Sequence, residues 1–315
     1  MVVAASSIPA SKVLAEGMTA VITGASSGIG RAAAMTCAKK AMNVWMVDID
    51  KEELDVAKEL VMKECSKKDA QKIETRVVDV SDEKAMMALS EEVFKDGGKC
   101  HFLMNNAGVG KGGGPMTDME TVRFTMGVNT YGPIHGCLAF VPKMKDSGET
   151  GIIVNTGSKQ GITMPPGNLT YNMSKAALKC YTEGLEHELR AQEGGKLRAA
   201  LLVPGWVNTS IMLKSIRAEK LAKGEPFDAS TVFFHEEKPA QGAWMPQQAV
   251  DFMIQELDKG KFYIICPDND VDRETDNLRM TWTMQDITED RPPLSRWHPD
   301  YTDKFAAFVE ANKKK

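Results

Sequence analysis

The sequence lacks the features that mark metal-binding, disulfide-rich and membrane-spanning proteins. Its six cysteines are scattered, form no Cys-x-x-Cys pair and have no histidine at ligand spacing, so we expect no metal site and a reducing, cytoplasmic compartment. No segment approaches roughly 18 consecutive apolar residues, so we expect no membrane span. Residues 1–16 contain Lys12 as their only basic residue and no sustained apolar stretch, which makes them a poor signal or transit peptide.

Basic runs are also scarce. The one cluster is the terminal Lys313-Lys314-Lys315, and the formal net charge is −4 with a pI near 5.8. This balance argues against a nucleic-acid-binding surface. A chain of 315 residues with 43% hydrophobic and 26% charged residues is typical of a soluble globular protein and can build a full core.

The first pattern present is a strand, a glycine turn and a helix. Residues 18–23 have the composition of a buried strand, and the Ala-rich residues 31–40 indicate a helix. Glycines let the backbone approach a pyrophosphate, and free N–H groups at a helix start attract anions. The spacing Gly-x-x-x-Gly-x-Gly differs from the standard dinucleotide fingerprint, but the flanking strand and helix favour a nucleotide site. The predicted contacts are Gly24, Ser26, Ser27, Gly28, Ile29 and Gly30.

An acid at the end of the second predicted strand, residues 43–48, indicates which cofactor is preferred. Asp48 lies 18 residues after Gly30, where a ribose-binding carboxylate is expected. It would bind the adenosine ribose hydroxyls and repel a 2′-phosphate. Position 27 holds no basic residue and Ile49 follows the acid, so NAD is favoured over NADP. The alternative is that Asp50 caps the next helix and that Asp48 is incidental.

Strand and helix patterns alternate along the rest of the chain, which predicts an α/β fold with a doubly wound parallel sheet. Two polar segments follow the third and fourth predicted strands, at the sheet edge where such folds bind ligands. They are Asp79-Val80 and Asn105-Asn106-Ala107-Gly108. Both segments can also be read as ordinary turn residues.

A predicted helix over residues 171–190 carries Tyr171 and Lys175 four residues apart, on one face of the helix. An ammonium about 4 Å from the phenol favours the phenolate by roughly 4 kcal/mol, which lowers the pKa of Tyr171 by about 3 units. That change would suit a general acid/base. The alternative is an ordinary amphipathic helix. Thr170 is the predicted N-cap, and Ser158 follows the predicted strand 151–156.

Two more segments carry candidate residues. A largely apolar helix contains Asn129, and Gly132 and Pro133 predict a bend beside it. A buried asparagine must be hydrogen-bonded, so its role can be purely structural. The predicted strand 197–203 ends at Pro204-Gly205-Trp206-Val207-Asn208-Thr209, where Thr209 offers a hydroxyl above the sheet.

Taken in order, these motifs resemble those of the short-chain dehydrogenase/reductase family. The match covers roughly Met18 to Thr209, and although each motif alone is weak, the ordered set is specific. The resemblance implies a Rossmann fold with three αβα layers and about seven strands, completed by a helix at about 246–258 and a strand at 262–266. The motifs are Thr23-Gly24-x-x-x-Gly28-x-Gly30, Asp79, Asn105-Asn106-Ala107-Gly108, Asn129, Ser158, Tyr171-x-x-x-Lys175 and Pro204-Gly205-x-Val207-x-Thr209.

The resemblance also implies roles for these residues. Tyr171 would be the general acid/base, Lys175 would lower its pKa and bind the nicotinamide ribose, Ser158 would hold the substrate oxygen, and Asn129 would order a proton relay. Hydride would pass between substrate carbon and nicotinamide. The remaining cofactor contacts would line the adenine, ribose and carboxamide; they are Asp48, Ile49, Asp79, Val80, Asn106, Ala107, Gly108, Pro204, Gly205, Val207 and Thr209.

The chain departs from the family pattern around the candidate catalytic serine, where family members often have two serines and a small residue and this chain has Thr156-Gly157-Ser158-Lys159. The pattern does not account for Lys159. Its ammonium either faces the pocket and favours an anionic substrate or lies in solvent, and solvent exposure is the default. We expect residues 1–16 to form an arm, residues 17–268 one catalytic domain, and residues 269–315 a C-terminal extension. Residues 300–310 have the pattern of a short amphipathic helix. The extension either crosses a neighbouring subunit or covers the chain's own substrate cleft.

Residues 209–246 span the substrate lid that the resemblance implies. Its apolar residues either line a pocket for a hydrophobic alcohol or seal the lid to the body. They are Ile211, Met212, Leu213, Phe227, Val232, Phe233, Phe234, Trp244 and Met245. His235 and His187 have no partner at metal-ligand spacing.

Taken together, these observations predict an NAD-dependent oxidoreductase acting on an apolar secondary alcohol or ketone and assembled as a homodimer or homotetramer. The alternatives are an NADP-linked carbonyl reductase and a non-catalytic nucleotide-binding protein on the same fold.

Overall fold

The computed structural model describes residues 8–110, 112–192, 194–211, 213–214, 220, 224–226 and 238–313. Part of the predicted lid, including Met212, Phe227, Val232, Phe233, Phe234 and His235, lies outside the described residues.

Seven parallel strands form a single sheet in the order β3-β2-β1-β4-β5-β6-β7. Their bounds are β1 Thr19–Thr23, β2 Asn43–Asp48, β3 Ile73–Val77, β4 Phe102–Asn105, β5 Gly151–Thr156, β6 Leu197–Val203 and β7 Tyr263–Ile265. The central strands β5 and β6 are buried along their whole length, as expected for a parallel sheet covered on both faces.

Helices cover both faces of this sheet. Their bounds are α1 Gly28–Lys39, α2 Lys51–Lys63, α3 Glu83–Phe94, α4 Met119–Met126, α5 Gly132–Asp146, α6 Gln160–Thr163, α7 Leu169–Ala191, α8 Pro246–Asp258, α9 Arg273–Thr288 and α10 Thr302–Asn312. Successive residues of a strand point to opposite faces. Accordingly, Ala20 and Ile22 of β1 join a core with α1, α2 and α8, whereas Val21 joins a second core with α3, α5 and α7. The predicted three-layer α/β architecture is confirmed.

The strand order places β1 beside β4, where the direction of winding reverses. Ligands of doubly wound sheets bind at this point, beyond the carboxyl ends of the strands. The segments that follow β1, β4, β5 and β6 carry the glycine turn, Asn106 to Gly108, Ser158, and Pro204 to Thr209. The fold therefore gathers the predicted motifs at one edge of the sheet.

The C-terminal residues fold back on their own chain. Met280 of α9 packs against a small core of Leu201, Val203 and Ile265, which Ile162 of α6 also contacts. The sequence predicted a helix over residues 300–310, and α10 spans Thr302–Asn312. It did not predict α9.

A small core of its own holds the C-terminal segment together around the buried Trp282. Its Nε1 donates a hydrogen bond to Ser295 Oγ at 2.8 Å. The guanidinium of Arg291 lies 3.8 Å from the Trp282 ring centroid, and Phe305 and Phe308 contact the ring edge-on. These contacts hold in place the two short helical turns and the helix α10 that follow α9.

Candidate active site

The glycine turn between β1 and α1 is built from close backbone contacts. A Cβ at Gly30 would lie 2.1 Å from the carbonyl oxygen of Gly24, and one at Gly24 would lie 2.8 Å from Cα of Ala107. Thr23 Oγ1 accepts hydrogen bonds from the backbone N–H groups of Asn106 and Ala107, at 2.9 and 3.1 Å. The glycines therefore allow this turn to pack directly on the segment after β4.

Asp48 ties the end of β2 to the same turn. One carboxylate oxygen accepts the backbone N–H of Ser26 at 3.0 Å, and the other accepts those of Ile49 and Asp50. Asp50 caps α2 by accepting the N–H of Glu53. Asp48 therefore binds the glycine turn, whereas Asp50 caps α2. The side chain of Ile49, next to Asp48 in the chain, is 65% exposed.

Asp79 and Val80 follow β3 in different environments. Asp79 Oδ1 accepts hydrogen bonds from the N–H and the hydroxyl of Ser81. Val80 is buried, and its side chain would contact a Cβ on Gly132 at 2.7 Å. Asp79 therefore shapes the turn, and Val80 packs the turn against the start of α5.

Asn129 lies in a π-helical turn, Gly127–Tyr131, which joins α4 to α5 where the sequence predicted a bend. Its side chain binds both backbone polar groups of Val109, accepting the N–H at 2.8 Å and donating to the carbonyl at 3.0 Å. It also donates to Ser174 Oγ at 3.1 Å. The asparagine therefore fixes the chain after Gly108 to the start of α7.

Lys175 is 4% exposed, and its Nζ donates a hydrogen bond to the carbonyl of Thr156 at 2.8 Å. Burial lowers the pKa of this ammonium to about 8. No carboxylate of a described residue forms an ion pair with it. A Cβ at Gly108 would lie 3.6 Å from Nζ and 3.2 Å from the Asn129 side-chain oxygen, so both polar groups line the space beside Gly108.

Tyr171 and Ser158 come from different elements, and the Ser158 side chain lies near enough to the phenol to influence its pKa. Burial raises the pKa of Tyr171, and the interaction with Ser158 opposes the rise. The sequence had predicted a lower pKa caused by Lys175, and on this point it was wrong. The reason is geometric, since Nζ of Lys175 is held by Thr156 and lies 5.9 Å from the Tyr171 ring centroid. Thr170 was also wrongly predicted as the N-cap, because α7 begins at Leu169.

The Pro204 to Thr209 segment is fixed from both sides. The isolated bridge between Val207 and Trp244 holds its middle, and the N–H of Asn208 donates to the carbonyl of Trp244. Thr209 packs on the glycine turn, because its methyl group would lie 3.0 Å from a Cβ on Gly28.

Ser27 and Ser210 line a cleft of about 350 Å³ between the glycine turn, α2 and the start of α8. The Ser210 hydroxyl donates a hydrogen bond to the Ser27 hydroxyl at 3.0 Å. Lys214 forms an ion pair with Glu53 on the far wall, and Glu53 also accepts from the Ser26 hydroxyl. The beginning of the predicted lid is thereby connected to the glycine turn.

Lys159 does not face a pocket or bulk solvent, contrary to both alternatives drawn from the sequence. Its ammonium lies 3.2 Å from Asp268 Oδ2 and 2.6 Å from Asp276 Oδ2. Sequence reasoning missed both acids because they lie more than a hundred residues further along the chain. The sequence around Asp276 has no apolar pattern, and this was the one local feature that could have drawn attention to the acid.

Two negative findings concern the part of the chain that the structure describes. No group of three or more His, Cys, Asp or Glu side chains is placed to hold a metal ion there. None of the helices described is both long and apolar enough to cross a membrane.

Comparisons with known proteins agree with this geometry. The profile of the family described as short chain dehydrogenase matches residues 18–220. The 1-deoxy-11-beta-hydroxypentalenate dehydrogenase of Streptomyces avermitilis is 32% identical over 209 residues, which cover 65% of this chain and 74% of that protein.

Two solved structures of dehydrogenases are also similar to this chain. A short-chain dehydrogenase/reductase from Burkholderia phymatum, crystallised with NAD, is 29% identical with a TM-score of 0.59 and covers 95% of this chain and 96% of its own. An alcohol dehydrogenase from Thermococcus sibiricus, complexed with 5-hydroxy-NADP, has a TM-score of 0.61 at 22% identity and covers 77% of this chain and 91% of its own. On the family match and the sheet order together, the chain belongs to the short-chain dehydrogenase family of oxidoreductases.

Proposed function

We propose that this protein transfers a hydride between NAD and an apolar secondary alcohol or ketone, with Tyr171 as the general acid/base. The observation that carries the proposal is the combination of neighbouring Ser158 and Tyr171 side chains with the buried ammonium of Lys175, which no described carboxylate neutralises. A purely structural lysine would be expected to find an acid or to reach solvent.

The residues at the carboxyl edge fit a nicotinamide dinucleotide. The turn after β1 closes so tightly that a side chain at Gly30 would meet backbone, and it leads directly into α1, whose N-terminal N–H groups favour a pyrophosphate. Asp48 offers a carboxylate beside it, and Ile49 offers an exposed apolar surface of the kind that an adenine ring covers. The residues proposed to bind the cofactor are Gly24, Ser26, Ser27, Gly28, Ile29, Gly30, Asp48, Ile49, Asp79, Val80, Asn106, Ala107, Gly108, Tyr171, Lys175, Pro204, Gly205, Val207 and Thr209.

When bound, the nicotinamide ring accepts or supplies the hydride. The chain's own residues handle the proton. The Tyr171 hydroxyl exchanges a proton with the substrate oxygen, and the neighbouring Ser158 hydroxyl holds that oxygen in place. Charge that develops on the phenol during transfer is stabilised by the nearby Lys175 ammonium in a site of low dielectric constant.

NAD is favoured over NADP by the Asp48 carboxylate, which would repel a 2′-phosphate. The similar solved structures include one complex with NAD and one with 5-hydroxy-NADP, so they favour neither cofactor. An apolar substrate is favoured by three exposed apolar side chains on the segments that follow β5 and β6: Met164 after α6, Leu169 at the start of α7, and Trp206.

The experiment is a spectrophotometric screen of secondary alcohols with NAD and with NADP, run on the wild type and on Tyr171→Phe. The phenylalanine keeps the ring and removes only the hydroxyl, so turnover should fall by about 10²-fold or more while NAD binding is retained. Full activity in the variant would refute the role of Tyr171. A non-catalytic nucleotide-binding protein would bind NAD and oxidise no alcohol in the screen.

Two further properties belong to the proposal. The six cysteines are all free thiols, which fits a reducing cytoplasm. Exposed apolar side chains on α4, α5 and α7 and in the turn that joins α4 to α5 favour a homodimer or homotetramer, which light scattering after gel filtration would detect. These side chains are Phe124, Tyr131, Leu138 and Met173.

A further inference from the structure

An ion cluster lies directly behind the candidate catalytic serine. It consists of Lys159, which follows Ser158, and of Asp268 and Asp276, and we refer to these three residues as the Lys159 cluster. The side chain of Lys159 is 17% exposed, and those of Asp268 and Asp276 are 8% and 5% exposed. Burying three charges is costly, and replacing such groups by apolar ones is often neutral or stabilising. The cluster is therefore weak evidence for stability and calls for another role.

The cluster joins three segments that are distant in sequence. Lys159 belongs to the turn after β5, and its backbone N–H also donates to the carbonyl of Pro204 at 3.3 Å. Asp268 accepts the backbone N–H of Trp206 with the same oxygen that contacts Lys159. Asp276 belongs to α9 of the C-terminal extension.

These contacts leave no free space at the turn after β6. A Cβ at Gly205 would lie 2.5 Å from Asp268 Oδ2 and 2.7 Å from Lys159 Nζ. The charged groups therefore pack directly against the backbone of the Pro204 to Trp206 turn. A shift of the ammonium would move this turn and the Ser158 turn together.

Resting on the proposed function, we propose that Lys159 is a positioning residue through which the C-terminal extension sets the place of the Ser158 hydroxyl relative to the Pro204 to Trp206 turn. Lys159 and Asp276 touch neither substrate nor cofactor in this arrangement. They act by fixing two turns that must stand at a set distance for hydride and proton transfer to occur together. The extension is thus a part of the active site and not only a means of assembly.

The test compares Asp276→Asn, Lys159→Gln and the double variant with the wild type. Asparagine keeps the shape of the acid and removes its charge, so the ammonium loses one of its two partners. Because misplacement by about 1 Å can cost about 10²-fold in rate, kcat should fall by roughly 10- to 100-fold in each single variant. The Kd for NAD should change by a smaller factor than kcat, because the cluster contacts only the Pro204 to Trp206 part of the proposed cofactor site and not the glycine turn or Asp48. The kcat of the double variant should be no lower than that of the slower single variant, because both substitutions disrupt the same ion cluster.

Two measurements separate positioning from simple loss of fold. The stoichiometry of NAD binding gives the folded fraction, so that kcat is expressed per binding-competent chain. Hydrogen exchange should quicken in residues 157–163 and 204–206 and stay unchanged in β1 and β2. Lys313→Gln is the matched control, because Lys313 pairs with Asp272 on the same extension but in solvent, with side chains 46% and 57% exposed. It should leave kcat and exchange as in the wild type.

The proposal is overturned if both single variants keep kcat within about twofold of the wild type, or if their losses multiply fully in the double variant. Should Asp276→Asn lose NAD binding through unfolding, the variant Lys159→Met/Asp268→Asn/Asp276→Asn, which removes all three charges together, decides instead. An unimpaired kcat in that variant overturns the proposal and an impaired one supports it. If the wild type oxidises no alcohol with either cofactor, the proposed function fails, while the exchange measurements still decide whether the Lys159 cluster joins the two turns.

Discussion

Replacing Lys175 by methionine should make the protein more stable at neutral pH while abolishing turnover. Methionine fills similar space and carries no charge. Burial lowers the pKa of Lys175 from 10.5 to about 8. At about 1.36 kcal/mol per unit, keeping this ammonium charged in the folded state costs roughly 3 kcal/mol. The variant also loses the hydrogen bond to Thr156, which is worth about 1 kcal/mol, so the net gain is about 2 kcal/mol.

The sign of the pH dependence follows from the same shift. Below about pH 8 both the folded and the unfolded chain bind the proton, so the full cost is present. Between about pH 8 and pH 10.5 the unfolded chain binds more protons, and the free energy of unfolding contributed by this group rises with pH. Lys175→Met should remove that rise. Its advantage over the wild type should be largest near neutrality and shrink in alkaline buffer.

The assay is urea unfolding at about pH 7 and about pH 9.5, with NAD turnover measured on the same samples. Lys179→Met is the matched control, one turn further along α7, where the lysine forms a partly exposed ion pair with Glu183 at 2.8 Å. An exposed pair contributes about 1 kcal/mol or less, so this variant should lose little stability and keep the pH slope of the wild type. The reasoning is refuted if Lys175→Met is no more stable than the wild type near neutrality, or if its pH slope is unchanged.

Three other substitutions test individual positions. Gly205→Ala should lower the free energy of unfolding by about 1–3 kcal/mol, because the new methyl group would overlap Asp268 and Lys159. Gly184→Ala, on an exposed turn of α7 with nothing within 4 Å of its Cβ, should instead raise it by about 1 kcal/mol in the same urea assay. Asp48→Asn should raise kcat/KM for NADP relative to NAD by roughly tenfold, since the charge that would repel a 2′-phosphate is gone. An unchanged cofactor ratio would contradict the role given to Asp48.

Most of the sheet could be predicted because each of its units is encoded locally. The predicted strand over residues 43–48 is β2 as observed, and the predicted helix over residues 246–258 is α8. Both are read from short apolar patterns that need no distant partner. The exact start of α7 was missed for a local reason as well, since Thr170 and Asn168 are both acceptable caps by composition.

Helix α9 was not predicted because its buried face is not apolar. Two of its three buried side chains are Asp276 and Asp286. Asp286 is satisfied by Arg291 and Ser295 from the following turn, and Asp276 forms an ion pair with Lys159, which is distant in sequence. A periodicity of hydrophobic residues cannot detect a helix that packs through buried acids whose partners lie elsewhere.

In the candidate site, sequence spacing likewise could not predict which groups surround a charged side chain. The four-residue spacing of Tyr171 and Lys175 correctly places both on one face of α7, but it says nothing about which oxygen receives the ammonium. Thr156, on a neighbouring strand, receives it and keeps it 5.9 Å from the phenol ring centroid. The local spacing therefore overestimated the effect of Lys175 on the pKa of Tyr171 and could not include the burial that raises it.

Two lysines near Ser158 have opposite environments, and the contrast supports the separate roles proposed for them. Lys159 lies between two carboxylates, so its charge is neutralised and can only hold its surroundings in place. Lys175 has a carbonyl as its described partner, so its charge remains available to an oxygen that becomes negative during a reaction. Keeping the Lys175 ammonium buried and charged lowers the free energy of unfolding. This cost is the physical reason to expect chemistry at Tyr171. If the Lys175→Met variant proved no more stable than the wild type, that reason would disappear, whereas the positioning role of Lys159 would be unaffected.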